Sequence, residues 1–191
     1  MKNHILLIAL PVALSMNVLA QSNTIITEPR TSAPYHHLHI KGEMNVKLIQ
    51  NEVPGVTVEG TSYQTGNTIT MLRNDTLFVY QTNIRKRDRK TSVTINVDGL
   101  VSLEVSGKTR VNCSGLVNTD YLTIKAIEGA QIKLDVRALK VDSRAAACGF
   151  IDLSGSTVTK TESADECSII DSHLLDVLDK RSVINYLCYD C

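Results

Sequence analysis

A 19-residue spacing between apolar residues in the second half of the chain constrains the fold more than any other feature. Such a period is typical of stacked units, none of which can bury its apolar side alone. Small residues between the ladders, as at Glu128-Gly129-Ala130 and Ser154-Gly155-Ser156, suit tight corners. The ladders are Cys113, Ile132, Ile151 and Ile170; Leu103, Leu122 and Val141; Leu139, Val158 and Val177; Val105 and Ile124; Val117 and Val136; and Leu134 and Leu153.

This pattern predicts an all-β fold, a single-stranded right-handed β-helix or solenoid-like stack with coils of about 19–20 residues. A leucine-rich repeat has a similar period, but its L-x-x-L-x-L motif and asparagine ladder are missing from the sequence. The chain ends at Cys191 without an obvious cap for the last coil. Strong ladders and weak ends together favour a stack whose final edge is open.

The first half of the chain has a period of two instead. Leu38 and Ile40 alternate with polar neighbours, and Met44, Val46 and Leu48 do the same. Alternation places one side-chain set inward and the other outward on a strand. Antiparallel-like strands are therefore expected before the coils, with a tight turn at Arg73-Asn74-Asp75.

The N-terminal 20 residues have the layout of a secretory signal peptide. A short charged start precedes the apolar run Ile5–Leu14, and Val18 and Ala20 occupy the −3 and −1 positions of a cleavage site. The expected organisation is a signal peptide at 1–20, a polar leader at 21–34 and one β-repeat domain at 35–191. We expect an exported protein of the periplasm, outer-membrane surface or extracellular space, with no membrane span after cleavage; a retained N-terminal anchor is the alternative.

The composition excludes several classes of function. Lys plus Arg and Asp plus Glu each number 20, so the overall charge does not favour nucleic-acid binding. Trp is absent and only two Phe occur, so aromatic platforms for sugars or bases are not expected. No nucleophile elbow, phosphate loop or Ser-His-Asp arrangement is present, and no cofactor is expected.

Three stretches together resemble the auto-transporter adhesin head (GIN) domains of Bacteroidetes. They are the opening Tyr35–Gln50 with Val56–Gly60, the hairpin-like Asn67–Tyr80, and the coils with corners such as Val105-Ser106-Gly107-Lys108. The family's corners usually read Ser-Gly-Ala-Ser, and Ala147-Cys148-Gly149 is a poor copy. The resemblance covers about 35–180. It implies a β-helical fold, export and a binding role without catalysis.

Histidines on the first predicted strand are the sharpest metal candidates. His37 and His39 project from one strand face, and imidazoles at i and i+2 can share a metal. A site needs further ligands, and the sequence offers no obvious companion because His173 is far away. Solvent-facing histidines are the preferred interpretation, and no metal is predicted.

A dense basic run is the candidate binding segment. It can contact anionic polysaccharide, lipid headgroups or nucleic acid, although a solvated hairpin loop is the preferred interpretation. No aromatic residue interleaves it, which argues against single-stranded nucleic acid. The run comprises Arg85, Lys86, Arg87, Arg89 and Lys90.

Five cysteines lie in the second half of the chain, so at least one is unpaired within a molecule. Cys188 and Cys191 have the spacing of a redox or metal pair and are interpreted as tail cysteines that can bridge each other. Cys148 and Cys167, 19 apart, would stack across a parallel ladder with parallel Cβ vectors about 4.8 Å apart. That separation exceeds a relaxed disulfide's, so a stack of free thiols is predicted there.

Two further patterns concern modification and catalysis. Asp75-Thr76-Leu77 resembles the O-glycosylation acceptor of Bacteroidetes, with Thr76 as the acceptor, and reads equally as a turn entering a strand. Carboxylates are frequent, and polysaccharide enzymes on β-helices use carboxylate clusters. They include Asp142, Asp152, Asp165, Glu166, Asp171, Asp176 and Asp179.

The sequence is compatible with three functions. The favoured one is a non-enzymatic adhesin-type domain that binds an unknown surface glycan or protein. The second is a self-associating structural protein of the envelope, a homo-oligomer formed through open coil ends. The third is a polysaccharide-active enzyme, for which the carboxylate geometry cannot be read from sequence.

Overall fold

The protein is all-β in the residues that its computed structural model describes, which are 24–30, 33–83 and 90–178. These residues form twelve strands and one short helix, α1, at Ser62–Gly66. The strands are β1 Ile25–Arg30, β2 His37–Lys41, β3 Met44–Gln50, β4 Gly55–Thr61, β5 Thr68–Arg73, β6 Thr76–Gln81, β7 Thr91–Val97, β8 Ser102–Ser106, β9 Arg110–Ile127, β10 Gln131–Ala146, β11 Phe150–Ala164 and β12 Ile169–Val177.

The alternation in the first half of the sequence builds the predicted strands. Leu38 and Ile40 of β2 are buried between half-exposed His37 and His39, and Met44, Val46 and Leu48 of β3 are buried as well. The hairpin between β5 and β6 turns at Asn74 and Asp75, which both have positive φ. Asn and Asp tolerate that conformation, which two-residue hairpin turns require. The alternation and the turn are confirmed, but the expected antiparallel pairing is wrong for β2 and β3, whose pairs with β6, β8, β7 and β9 are all parallel.

One mixed sheet contains all twelve strands. The pairs β1–β4, β4–β7 and β5–β6 are antiparallel, and the remaining pairs are parallel. Strand β9 joins two arrays, because its first part pairs with β3 and its last part pairs with β8. The sheet therefore bends around its apolar face, and the buried residues form one core cluster.

The two outer strands of the first half, β1 and β5, approach each other across a seam. The Arg30 guanidinium at the end of β1 donates to the backbone oxygen of Thr68 in β5 and, at 2.8 Å, to that of Thr65 in α1. This side chain is only 18% exposed. Arg30 thus spans the gap that β-sheet hydrogen bonds leave open, and the sheet is nearly closed and barrel-like.

The predicted right-handed β-helix is wrong, although the all-β class is correct. All twelve strands belong to one nearly closed, mixed sheet, and β9, β10 and β11 run for 18, 16 and 15 residues instead of breaking into short strands at each corner. The sequence period reflects only which residues are neighbours within a parallel pair. It carries no information about the direction of the strands that flank such pairs or close the sheet.

The ladders themselves are partly shifted. Ile132 pairs with Ile151 and Leu134 with Leu153, at the expected offset of 19. Between β9 and β10 the register changes near Lys133, so Ile132 pairs with Val111 and not with Cys113. A β-bulge adds residues to one strand, so the offset between paired residues changes from 21 at Ile132 and Val111 to 19 at Val136 and Val117.

A close backbone approach explains one of the small-residue positions. Gly155 has φ of +107°, and a Cβ there would lie 2.1 Å from the carbonyl oxygen of Val136 on the neighbouring strand. Any larger residue would push β11 away from β10 at this point. Glycine here is therefore required by packing as well as by backbone conformation.

The prediction of free thiols at Cys148 and Cys167 is also wrong, because the two form a disulfide with Cα atoms 4.7 Å apart. Cys148 has φ of +62°, which turns its Cβ out of the regular pleat. The assumption of parallel Cβ vectors therefore fails at this corner, and the Cα separation lies within the usual range for a disulfide. The bridge ties the β10–β11 connection to the β11–β12 connection.

Candidate functional site

The outer face of β3, β9, β10, β11 and β12 carries two adjacent rows of mainly polar side chains. Parallel pairing in register brings these residues together, with neighbouring strands about 4.8 Å apart. The first row is Asn45, Arg110, Gln131, Phe150 and Ile169, and the second is Lys47, Asn112, Lys133, Asp152 and Asp171.

A shallow groove of about 150 Å³ lies between these rows on β9, β10 and β11. Buried Val111 and Ile132 lie beneath it, while the side chains along both rims reach solvent. We call it the outer groove; its lining is Arg110, Val111, Asn112, Gln131, Ile132, Lys133, Phe150 and Asp152.

Hydrogen bonds order the rims of the outer groove. Arg110 Nε donates to Gln131 Oε1 at 2.9 Å, and Lys133 Nζ donates to Asp152 Oδ2 at 2.6 Å. The bond to Asp152 is the main cause that raises the pKa of Lys133. The groove therefore presents amide, guanidinium, ammonium and carboxylate groups, with the Phe150 ring as its aromatic member. Such an arrangement can recognise a polar ligand from several directions.

The two ends of this face carry opposite charge. Near β9, Lys90 Nζ donates to the Lys108 backbone oxygen at 2.6 Å. Burial lowers the pKa of Lys90, and the positive charge of Arg110 adds to that effect. At the β12 end, a hydrogen bond with His173 lowers the pKa of Asp171. The groove thus runs from a cationic end to an acidic end.

Sequence reasoning missed the outer groove, although its signal was present. Gln131, Phe150 and Ile169 are 19 apart, as are Lys133, Asp152 and Asp171. The predicted ladders consist of apolar residues at this spacing, which mark the core. Applied to the outward-facing residues between them, the same spacing finds the parts of both rims on β10 and β11, but not Arg110 and Asn112 on β9. Phe150, which we did not expect to serve as a platform, lies in the groove.

His37 and His39 share one outer face, as predicted, but contact different partners. His37 Nδ1 lies 2.8 Å from Ser102 Oγ, and His39 Nε2 lies 3.5 Å from Glu104 Oε1. Within 24–30, 33–83 and 90–178, no three His, Cys, Asp or Glu residues converge as metal ligands would. The two histidines thus interact with groups on the neighbouring strand.

Several of the predicted acidic residues that the structure describes have separate partners, and Asp179 lies outside the described residues. Asp142 pairs with Lys140 at 2.9 Å, and Asp165 accepts a hydrogen bond from the Ala147 backbone nitrogen at 2.6 Å. Asp152 and Asp171 are neighbours in the second row, but each has a partner of its own in Lys133 or His173. The arrangement separates these carboxylates into individual contacts.

Other predicted sites fall partly or wholly outside the described residues. Of the basic run, Arg85, Lys86, Arg87 and Arg89 lie outside and Lys90 lies at the cationic end of the groove. The signal peptide at 1–20 and the pair Cys188 and Cys191 lie outside as well. Thr76 begins β6, and its hydroxyl donates to the Asn74 backbone oxygen at 3.4 Å.

Cys113 is the free cysteine of the described region. Its Sγ donates to the Gly115 backbone oxygen at 2.8 Å, and burial raises the pKa of the thiol to about 11. A thiolate is the reactive form of cysteine, so this side chain is suited to a structural role.

Among the described residues, no helix is long and apolar enough to cross a bilayer, and α1 has only five residues.

Comparison with solved structures shows where this fold occurs. A putative adhesin from Bacteroides fragilis is 15% identical with a TM-score of 0.77, covering 82% of this chain and 74% of that one. A putative adhesin from Parabacteroides distasonis is 13% identical, with a TM-score of 0.63 over 83% and 77% of the two chains. A putative lipid binding protein from the same species is 13% identical, with a TM-score of 0.61 over 81% and 76%.

At such low identity these similarities concern the fold alone. No curated protein matches the chain. The model of one protein family, described as "putative auto-transporter adhesin, head GIN domain", matches 34–178, which is most of the chain. The protein therefore belongs to this adhesin head family, as its sequence pattern indicated.

Proposed function

We propose that the protein is an exported, non-catalytic binding domain of the adhesin type, and that the outer groove is its ligand-binding surface. The observation that carries this proposal is the ordered set of polar side chains on the outer groove. They lie outside the core and are held by contacts between neighbouring strands. Side chains in such positions add little to folding, and exposed ion pairs contribute about 0–1 kcal/mol.

The state of the carboxylates supports binding over catalysis. Glycoside hydrolysis needs two cooperating carboxyl groups, one of which has a raised pKa so that it can donate a proton. Hydrogen bonds with His173, Lys140 and Ser168, respectively, lower the pKa of Asp171, Asp142 and Asp165. These groups are acceptors of hydrogen bonds at neutral pH and are unsuited to general acid catalysis.

Export is supported by two independent features. The segment 1–20 has the charge and apolar layout of a cleaved signal peptide. Cys148 and Cys167 form a disulfide, and such bonds persist in oxidising compartments. The destination in this proposal is the periplasm, the outer-membrane surface or the extracellular space.

A structural, self-associating role has one observation in its favour. Within the described residues β12 pairs only with β11, and its Ile169, Leu174 and Val177 are 58%, 58% and 52% exposed. An open strand edge can pair with another chain. The same strand carries groups that argue against such pairing, because charged groups on an edge discourage association. These are Asp171, His173 and Asp176.

Sedimentation of residues 21–191 over a wide concentration range, with and without reductant, separates the two functions. A monomer at all concentrations supports the binding domain. Growth with concentration that persists in reductant would place the structural role ahead.

Ligand capture tests the groove directly. The mature fragment should bind a subset of a glycan array, and Gln131→Ala with Phe150→Ala should abolish that binding. Arg144→Gln is the matched control, because Arg144 is exposed on β10 away from the outer groove. Unchanged binding in the groove variant would refute this assignment of the surface.

A further inference from the structure

The arrangement of charge and ring surface on the outer groove indicates the class of its ligand. We propose that the groove binds an acidic polysaccharide, a chain of uronic acids, with Arg110 holding a sugar carboxylate and Phe150 packing against a neighbouring sugar ring. This inference rests on the proposed function, since it names the ligand class for that same surface.

Arg110 is prepared to bind a carboxylate. Its Nε is bonded to Gln131, which fixes the plane of the guanidinium, and the residue is exposed on the outer face. Among the described residues, no hydrogen-bond partner occupies its two terminal nitrogens. The guanidinium fork matches the two oxygens of a carboxylate, which gives a bidentate, charge-assisted contact.

Two lysines strengthen the positive potential beside Arg110. The ammonium group of Lys90 is held on the Lys108 backbone oxygen, and the charges of Arg110 and Lys108 both disfavour its protonated form. Cations this close repel one another, so a bound anion relieves an unfavourable interaction that is already present. Glu43, which acts on Lys90 in the opposite sense, offsets only part of it.

Phe150 supplies the apolar surface that a sugar ring needs. It is directly opposite Gln131, which is directly opposite Arg110, so Phe150 and Arg110 lie two strand spacings apart, or about 10 Å. Two consecutive sugar rings can bridge such a span. Gln131 lies between them, where its amide can exchange hydrogen bonds with hydroxyl groups.

The acidic end of the face limits the position of the ligand. Asp171 and the Lys133-bound Asp152 lie toward β12 and disfavour a second carboxylate there. The carboxylate that contacts the groove is therefore directed toward β9, and the carboxylates of the neighbouring sugars in the chain face solvent. This polarity also argues against an anionic membrane, because a flat negative surface would meet the acidic residues and the cations together.

Titration calorimetry on residues 21–191 tests this inference. The ligands are hexamers of galacturonate, mannuronate and guluronate, together with their neutral methyl esters. We expect at least one free acid to bind, its ester to bind about tenfold more weakly, and Arg110→Gln to remove that difference, since the ester lacks the charge that strengthens a hydrogen bond to the guanidinium. Phe150→Ala should weaken acid and ester alike, and Arg144→Gln should change neither.

Each other outcome rejects the inference in a distinguishable way. Equal affinity for acid and ester, with sensitivity to Phe150→Ala, would keep the binding domain and reject the acidic ligand. Stronger, Arg110-dependent binding to phosphatidylglycerol vesicles than to any uronate would replace the polysaccharide with a membrane. No binding to the hexamers, with captured glycans elsewhere on the array, would reject the uronate class alone, whereas an empty array would count against the proposed function too.

Discussion

The residues on the inner face of the sheet are apolar on the first strands and become polar or charged on the last ones. One inward row crosses five strands, and its first three members, Leu38, Leu103 and Ile124, are at most 1% exposed. The row continues in register with Ser143 on β10 and ends with exposed Glu162 on β11. The neighbouring row changes in the same way, from Leu122 and Val141 to Lys160.

The charged end of the interior forms its own hydrogen-bonded cluster. Lys160 Nζ lies 2.6 Å from Ser172 Oγ and 3.2 Å from Glu162 Oε1, and the Ser172 hydroxyl donates to Glu162. Ser172 comes from β12 and is 8% exposed. The apolar core therefore ends where the inward rows change from apolar to charged residues on β11. Inward-facing charges are one way in which β-proteins prevent further strands from adding.

Truncation of a buried apolar side chain in the inward row should cause the largest loss of stability. Ile124→Ala should lower the free energy of unfolding by about 2–5 kcal/mol, because a fully buried side chain is removed and a cavity remains. Glu162→Ala, on the same row, should cost less than about 1 kcal/mol, since its ion pair is partly exposed. Urea denaturation measures both. Similar losses for the two variants would show that the polar end is as essential as the core.

Removal of the disulfide should cause the second-largest loss of stability. Replacing Cys148 and Cys167 by Ser should lower the free energy of unfolding by about 3 kcal/mol, the typical effect of a loop closed over such a separation. Cys113→Ser is the control, because that thiol is free. Hydrogen exchange should show the loss concentrated in β11 and β12. Uniform loosening of β2 and β3 as well would contradict the division into two regions.

Removal of the interior charges should change association more than stability. Lys160→Met with Glu162→Leu extends the apolar interior to the open edge, so self-association should increase while the free energy of unfolding changes by less than about 1 kcal/mol. Sedimentation velocity detects the shift. The matched control is Lys140→Met with Asp142→Leu, an ion pair of the same type that lies off these interior rows. Equal association of the two double variants would mean that the inward position is unimportant.

The smallest effect concerns acid stability in the first half. A hydrogen bond with His36 holds the pKa of Asp75 below its ordinary value. A lowered pKa in the folded state adds stability above the unfolded pKa, and that stability is lost as pH falls through the folded value. Asp75→Asn should therefore make unfolding less dependent on pH in this acidic range.

His36→Gln removes the same contact and should flatten the acid limb similarly. Acid titration followed by circular dichroism compares the two variants. A change in only one of them would show that the His36–Asp75 pair is not the cause.

Predictions from sequence succeeded where one strand or one turn was enough. The buried residues of β2 and β3, and the turn at Asn74 and Asp75, follow from alternation and from residues that accept positive φ. The family was also recognised from its opening strands and small-residue corners. His37, His39 and Asp152 could be named but not grouped with their partners, because Ser102, Glu104 and Lys133 lie on other strands.

Failures came where distant segments determine the geometry. The parallel pairing of β2 and β3 and the register change near Lys133 required knowledge of neighbouring strands. The outer groove depends on that register, since Arg110 and Gln131 are 21 residues apart and not 19. The thiol prediction failed because the backbone at Cys148 leaves the regular strand conformation.

The sequence by itself determined which side of each early strand is buried, where its hairpin turns, and to which family the chain belongs. Those features depend on local backbone geometry, in which side chains alternate whatever lies beside the strand. Only the tertiary structure decided that the sheet is mixed, that Arg30 spans its seam, and that polar residues of three strands meet in one groove. Long-range contacts decide which strands pair and in which register. A single sequence pattern is compatible with several such pairings.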